Sequence, residues 1–228
     1  MDSSASLTRR AMVGLAQMLI VMALALFVSA WSLHYWQGWT FLAVFSVAVT
    51  IITFYFLKHD PALIERRIKA GPVAEQKTTQ KIIQALASLC FIALLVVPGL
   101  DYRFGWSRVP TFMVLAGDVL VVAGLYIVFL VFRENSFTSA IIEVGKDQTV
   151  IATGPYRFVR HPMYAGAILM LLGMPLALGS TWGLLFCVPI YAVIVWRLID
   201  EESYLRTNLN GYADYCARTP YHLIPWIY

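Results

Sequence analysis

Six long apolar runs constrain the fold of this chain more than any other feature of its sequence. They lie at residues 11–33, 39–57, 82–100, 109–132, 163–179 and 182–198. Each is close to the roughly 17–25 residues that cross a bilayer as an α-helix. Helices are expected because backbone groups in lipid have to bond within their own segment and the runs show no period-two pattern. The sequence therefore predicts an all-α, polytopic membrane helical bundle of about six spans.

The last two runs are short, and only Gly179, Ser180 and Thr181 separate them. This spacing predicts a tight hairpin. The remaining tail is amphipathic and rich in aromatic residues, which predicts a cytoplasmic C-terminal helix that folds back and closes a site, with simple interfacial anchoring as the alternative. We accordingly divide the chain into N-terminal membrane spans, 1–132, and a C-terminal core, 133–228.

Charged residues orient the bundle. They make up 13% of the chain, against roughly a quarter in a soluble domain. Fifteen of the 17 Lys and Arg residues lie in alternate segments: before residue 11, in 58–81, in 133–162 and from 197 onwards. Only Arg103 and Arg108 lie in the opposite loops. This asymmetry predicts an integral, multi-pass membrane protein with both termini in the cytoplasm, in the inner membrane if the cell is bacterial.

The same composition narrows the possible partners. The net charge of +4 follows from this membrane asymmetry and does not indicate nucleic-acid binding. The four histidines are scattered without ligand spacing, so we predict no metal. The sequence also lacks a Gly-rich dinucleotide or phosphate-binding turn, so a nucleotide-like cofactor has to be held in another way.

A first polar cluster precedes the fifth run. Pro162 suits the first turn of that helix, whose N-terminus favours an anion. Arg157 and Arg160 add two positive charges just before it, which predicts a binding site for an anionic group of a ligand. In the alternative interpretation, both arginines are membrane anchors, His161 is a cap and Tyr164 is an interfacial aromatic residue.

A second polar cluster follows the sixth run. Arg197 and Glu201 are four residues apart, as are Glu202 and Arg206, so each pair shares a helix face. Arg197, at the end of an apolar helix, has to reach water or find an acid. A half-buried Arg that is held by a Glu is a ready-made fork for a carboxylate, so we predict that Arg197 binds a carboxylate substrate. Ordinary salt bridges at a helix end are the alternative, particularly for Asp200 and Glu201.

Together these residues resemble a known family. The order Arg-His-Pro-x-Tyr-x-Gly (160–166), a short hairpin, Arg-x-x-x-Glu-Glu (197–202), Tyr-x-x-Tyr (212–215) and a late Ile-Pro (224–225) is similar to the isoprenylcysteine carboxyl methyltransferases. Phospholipid and methanethiol methyltransferases share this core. The resemblance covers roughly 133–228 and implies an integral membrane enzyme that uses S-adenosylmethionine. It also implies catalytic roles for Arg197 and Glu202, with Glu202 bracing the guanidinium of Arg197. The predicted cofactor-binding residues are Arg157, Arg160, His161, Pro162, Tyr164, Gly166 and Glu201.

Two other functions stay open at this point. The tail from Tyr215 to Tyr228 also resembles the end of the membrane sterol reductases, which use NADPH. A non-catalytic membrane scaffold is the third possibility. For the methyltransferase, we expect membrane lipids and a lipophilic small-molecule acceptor, most readily a carboxylate, as partners. Asp118, inside the fourth run, is expected to line a substrate tunnel or to bond a neighbouring helix.

Overall fold

A computed structural model describes residues 2–68, 71, 73–75, 77–145 and 148–228. The described chain is helical and contains no β-strand. Its α-helices are α1 (Asp2–Ala30), α2 (Trp36–His59), α3 (Pro61–Ile68), α4 (Thr78–Phe104), α5 (Thr111–Glu134), α6 (Pro162–Ala177), α7 (Cys187–Asn208) and α8 (Tyr212–Arg218). Short 3₁₀ turns at Gly154–Arg157 and Trp182–Phe186 precede α6 and α7.

The helices confirm the predicted polytopic membrane bundle. Five helical stretches in the described chain are long and apolar enough to cross a bilayer, namely Ala5–Ala30, Trp36–His59, Thr78–Phe104, Thr111–Glu134 and Trp182–Asn208. The remaining predicted span, the fifth run, corresponds to α6, a shorter apolar helix of 16 residues that begins at Pro162 as expected. The protein is therefore a multi-pass membrane protein with α8 as the predicted C-terminal helix.

Helix α7 extends beyond the apolar run 182–198 and includes both of the predicted charged pairs. It continues past residue 198 to Asn208 and carries the whole charged segment within one continuous helix. Long charged side chains are good helix formers, and the Glu202–Arg206 pair supports the extension from one turn to the next. Arg197 thus lies in the interior of α7 and is held rigidly by it.

Glycines allow α5 and α6 to approach closely. A Cβ on Gly117 would lie 2.2 Å from the backbone nitrogen of Ala177, and one on Gly124 would lie 2.5 Å from the carbonyl oxygen of Gly166. Small residues at such crossings let helix backbones touch in a membrane. The turn between the last two spans is short, as predicted, but α6 packs mainly against α5 and only slightly against α7.

The loops collect at the two ends of the bundle as the charge pattern predicts. At one end, the buried carboxylate of Asp101 accepts hydrogen bonds from Ser107 and Ser180. At the other end, which we call the basic end, the loop after α3 contacts α7, and the loop after α5 contacts both α3 and the C-terminal tail. Lys69 and Lys146, two of the residues counted for this end, lie outside the described residues.

Candidate functional site

A cavity of about 110 Å³ lies at the basic end, where both predicted polar clusters converge. Residues 135–145 and 148–151, which we call the covering segment, contribute one wall. The start of α6 and the polar half of α7 contribute a second wall, and α8 a third. The lining residues outside the covering segment are Tyr156, Arg160, His161, Pro162, Met163, Tyr164, Arg197, Glu201, Leu205, Leu209, Tyr212 and Tyr215.

The C-terminal tail is fastened to the residues just before α6. The backbone N–H groups of Arg160 and His161 donate to the carbonyl oxygens of Tyr221 and His222, each at 2.9 Å. Leu223 follows in the tail and packs in a buried cluster with Tyr164 and Leu198. These contacts agree with a tail that closes the site. They also mean that two N–H groups near the start of α6 bind the tail instead of a ligand.

Glu202 is the centre of a buried basic cluster. Its Oε1 lies 2.8 Å from Arg160 Nε and accepts a hydrogen bond from His161 Nε2 at 3.1 Å. Its Oε2 lies 3.5 Å from His222 Nε2 and 3.7 Å from the half-exposed Arg206. We call these five residues the Glu202 cluster. Arg160, Arg206 and Glu202 together give the cluster two positive charges and one negative charge, so it retains an attraction for an anion.

Arg197 forms a separate network, which we call the Arg197 network. Its Nε donates to the Tyr164 hydroxyl at 3.1 Å. Its Nη1 donates to Glu75 at 3.0 Å and to Gln80 at 2.9 Å. Its Nη2 donates to the backbone carbonyl of Ala140, in the covering segment, at 2.9 Å. Side chains therefore hold the Nε and Nη1 sides of the guanidinium, whereas its Nη2 side contacts a backbone carbonyl that a ligand oxygen can replace.

The predicted pairing of Arg197 with Glu202 is wrong. Five residues on an α-helix correspond to a rotation of about 140°, so the two side chains leave α7 in different directions. Glu201, at the four-residue spacing, does share the face of Arg197, but it reaches Arg197 through Tyr164, whose hydroxyl donates to Glu201 Oε2. The predicted pair of Glu202 and Arg206 does form.

Two other predicted cofactor residues do not line the cavity. Arg157 is exposed, and its guanidinium lies 4.4 Å from the centre of its neighbour's ring, that of Phe158. Gly166 faces α5, where a Cβ would come within 2.8 Å of the Gly124 carbonyl oxygen. Its small size therefore serves helix packing. Arg160, His161, Pro162, Tyr164 and Glu201 do lie at the cavity.

Sequence reasoning missed several residues at the site. Glu75 and Gln80 come from the loop after α3 and the first turn of α4, more than a hundred residues before Arg197. His222 comes from the tail. Glu75 and Gln80 stand in no periodic pattern or recognisable motif, and His222 lies in the tail stretch that resembles the sterol reductases, which does not indicate its contact with Glu202. The one available signal is that a half-buried Arg197 requires an acid, which leaves the identity of that acid open.

Aromatic residues at the α8 side of the cavity are kept neutral. Burial raises the pKa of Tyr156 to about 12, and burial likewise raises the pKa of Tyr215. The Tyr215 hydroxyl donates to the Tyr156 carbonyl at 2.7 Å, which joins α8 to the segment before α6. Burial also lowers the pKa of His222, and the nearby Arg160 charge acts in the same direction, against the raising effect of Glu202.

The neutral state of His222 agrees with its contact to Arg160. The guanidinium can only donate, so Arg160 Nη2 donates to the ring Nε2 of His222, which therefore carries no proton. Protonation of His222 would place a second positive charge against Arg160.

Asp118 lies outside this cavity, on the packed face of α5. It is 7% exposed, and its Oδ1 has no hydrogen-bond partner among the described residues. The expected bond to a neighbouring helix is therefore not made through this oxygen.

Comparison with known proteins points to the same part of the chain. Residues 112–210 match the phospholipid methyltransferase family. The chain is 26% identical over 150 residues to protein-S-isoprenylcysteine O-methyltransferase B of Arabidopsis thaliana. The matched region covers 61% of this chain and 67% of that protein. The chain is 32% identical over 106 residues to the protein-S-isoprenylcysteine O-methyltransferase of Schizosaccharomyces pombe, which covers 40% and 45%.

A sterol enzyme is also similar. The chain is 30% identical over 105 residues to a Delta(14)-sterol reductase of Mus musculus, which covers 42% of this chain but only 25% of the reductase. The methyltransferase matches thus cover a larger part of their proteins than the reductase match does. The predicted relationship to the isoprenylcysteine carboxyl methyltransferases is confirmed, and residues 112–210, from α5 through α7, carry the match to the phospholipid methyltransferase family.

Proposed function

We propose that this protein is an integral membrane methyltransferase that transfers a methyl group from S-adenosylmethionine to a lipid-linked carboxylate, as in an isoprenylated cysteine. The observation that carries this proposal is the Nη2 contact of Arg197. A largely buried guanidinium lines the cavity, and its Nη2 is satisfied by the carbonyl oxygen of Ala140. A substrate carboxylate can replace that neutral oxygen and form a stronger bond in which both partners are charged.

The residues around the cavity fit the proposed cofactor. S-adenosylmethionine combines a carboxylate, a positive sulfonium and a flat adenine. The Glu202 cluster supplies the net positive charge for the carboxylate. Tyr156, Tyr212 and Tyr215 supply neutral aromatic faces for the adenine, beside the apolar Leu205 and Leu209. Arg160 and His161 therefore take the carboxylate-binding role in this proposal, and Arg157 is left out of it.

The two clusters divide the chemistry. When bound, S-adenosylmethionine supplies an activated methyl group. A carboxylate acceptor is already anionic at neutral pH, so the step needs no general base. The acceptor oxygen would take the methyl carbon as the carbon–sulfur bond breaks, and the electron pair of that bond would leave on sulfur. Arg197 orients the carboxylate, Tyr164 and Glu201 hold the Nε side of Arg197, and burial excludes water.

The size of the cavity requires the covering segment to move. About 110 Å³ is small beside the roughly 300–1,000 Å³ of ordinary ligand pockets. The covering segment touches Arg197 through Ala140, so opening the cavity and freeing the guanidinium are one event.

The proposed orientation places the basic end in the cytoplasm. The excess of Lys and Arg at that end supports this orientation, with both termini cytoplasmic. The polar cofactor then enters from the aqueous side, and the lipophilic acceptor enters from the bilayer between spans. In a bacterial cell the membrane is the inner one. Residues 133–228 remain the proposed methyltransferase core.

The first experiment separates the proposed enzyme from a reductase. Titration calorimetry on the detergent-purified protein should give binding heat with S-adenosylhomocysteine that is reduced by His161→Ala, with Glu65→Gln as an exposed control. The sterol reductase similarity makes NADPH the necessary comparison. Tight NADPH binding without a response to S-adenosylhomocysteine would favour a reductase, and binding of neither would favour a scaffold.

A further inference from the structure

We propose that Glu75 and Gln80 are positioning residues for Arg197, so that Glu75 and the first turn of α4 form part of the acceptor site. This inference rests on the proposed function, because it assigns the geometry of the acceptor carboxylate. Both residues lie outside the stretch 112–210 that matches the phospholipid methyltransferase family. The N-terminal half of the chain thereby contributes to the chemistry as well as to the membrane scaffold.

The contacts of Glu75 identify it as the counter-ion of Arg197. Its Oε1 lies 3.0 Å from Arg197 Nη1, and the two side chains are 3% and 13% exposed. A charge on an apolar helix has to reach water or an acid, and here the acid is supplied by the loop before α4. Glu201 reaches Arg197 only through the Tyr164 hydroxyl. Among the described residues, Glu75 is therefore the carboxylate that contacts this guanidinium directly.

Gln80 determines the direction in which the guanidinium points. Its Oε1 accepts from Arg197 Nη1 at 2.9 Å, while its Nε2 donates to Asp200. Gln80 is fully buried, so its amide cannot exchange these partners for water. Because Arg197 and Asp200 are three residues apart on α7, the single amide ties the first turn of α4 to one face of α7.

Gln84 completes the arrangement one turn later in α4. Its Nε2 donates to the Ala140 carbonyl at 3.2 Å and lies 3.4 Å from Glu75 Oε1. The Ala140 oxygen is therefore shared by Arg197 and Gln84. When an acceptor carboxylate replaces this oxygen, Gln84 gives it a second donor beside Nη2.

These contacts leave one approach for the acceptor. Nη1 is occupied by Glu75 and Gln80, and Nε by Tyr164. The carboxylate therefore meets the Nη2 side, where Ala140 now lies. Loss of Glu75 or Gln80 frees the guanidinium to rotate, and a misplacement on the ångström scale costs on the order of 10² in rate.

The test measures methyl transfer from labelled S-adenosylmethionine to S-farnesyl-N-acetylcysteine in lipid nanodiscs. Glu75→Gln and Gln80→Leu should lower kcat/KM for this acceptor by roughly 10- to 100-fold, while S-adenosylhomocysteine affinity stays within about twofold of wild type. Glu65→Gln, an exposed acid on α3, is the matched control and should behave as wild type.

A double-mutant cycle separates positioning from general stability. In an Arg197→Lys background, which lacks the fork, Glu75→Gln should cause less than a threefold further loss. Additive losses in the cycle, or a Glu75→Gln enzyme equal to Glu65→Gln, would overturn the positioning role while leaving the proposed function intact. A wild-type protein that binds S-adenosylhomocysteine but methylates no lipid carboxylate would refute the acceptor assignment itself.

Discussion

Neutralising Glu202 should weaken the fold and the cofactor site without affecting the orientation of the acceptor. Arg160 and Glu202 have side chains that are 6% and 9% exposed, with Arg160 Nε 2.8 Å from the carboxylate. Removing one partner of a buried ion pair leaves an uncompensated charge that costs about 3–5 kcal/mol. Glu202→Gln keeps an oxygen acceptor, so we expect a loss of unfolding free energy of about 3 kcal/mol, at the lower end of that range.

The same substitution should loosen the tail that closes the cofactor site. His161 donates to the Glu202 carboxylate, and its backbone N–H binds the carbonyl oxygen of His222 in the tail. A hydrogen bond to a charged group is worth about 1.5–3 kcal/mol, so S-adenosylhomocysteine affinity should fall by about 10- to 100-fold. Turnover at saturating cofactor should stay close to wild type because Glu202 does not contact Arg197.

Two measurements check this prediction. Thermal unfolding in detergent, followed by circular dichroism, reports the stability loss, and titration calorimetry reports the cofactor affinity. Glu65→Gln serves as the exposed control. A Glu202→Gln protein with wild-type stability and cofactor affinity but strongly reduced turnover would refute the reasoning, because Glu202 would then act on the acceptor.

Three further predictions follow from separate parts of the structure. Arg197→Lys should reduce turnover by on the order of 10²–10³ with little change in S-adenosylhomocysteine affinity, since Lys lacks the planar fork; near-wild-type turnover would make Arg197 a simple membrane anchor. Gly166→Ala should destabilise the protein by about 1–3 kcal/mol because its Cβ meets the Gly124 carbonyl, whereas Gly14→Ala has open space around it and should not; equal melting temperatures would contradict the close crossing. Stability should fall as pH drops below about 6.5, the pKa of a histidine in an unfolded chain, because the pKa of His222 is lowered in the folded protein and the unfolded chain therefore binds more protons. The charged and titratable groups that face His222 are Arg160, His161 and Glu202. His222→Gln should flatten this part of the stability profile, and an unchanged profile would assign it to another group.

The sequence predicts the membrane architecture well because lipid imposes a strong rule on it. Apolar runs of bilayer length became helices, Pro162 begins α6, and the loops rich in Lys and Arg meet at one end. The apolar run ends at residue 198, but α7 continues to Asn208, as the helical spacing of the charged pairs 197–201 and 202–206 predicts. A hydropathy pattern locates the boundary of the lipid, whereas a helix ends where its backbone hydrogen bonding ends.

The partners of the site residues were less predictable because they depend on tertiary contacts. Spacing along α7 correctly separates the faces of Glu201 and Glu202, and stricter use of it excludes the Arg197–Glu202 pair. Nothing in the sequence, however, connects Glu75 or Gln80 with Arg197, since α4 and α7 have to pack before these side chains meet. Gly166 was predicted to contact the cofactor but packs against α5. A glycine in a motif is equally consistent with close contact to a ligand and close contact to another helix backbone.

The most direct test of the account is the chemical nature of the transferred methyl group. Membranes containing the protein are incubated with methyl-labelled S-adenosylmethionine and S-farnesyl-N-acetylcysteine, and the extracted lipid is treated with base. A methyl ester releases its label as volatile methanol, whereas a methyl group on nitrogen or sulfur does not. We expect base-labile label that depends on Arg197. Base-stable label on an endogenous lipid, with none released as methanol, would contradict a carboxylate acceptor.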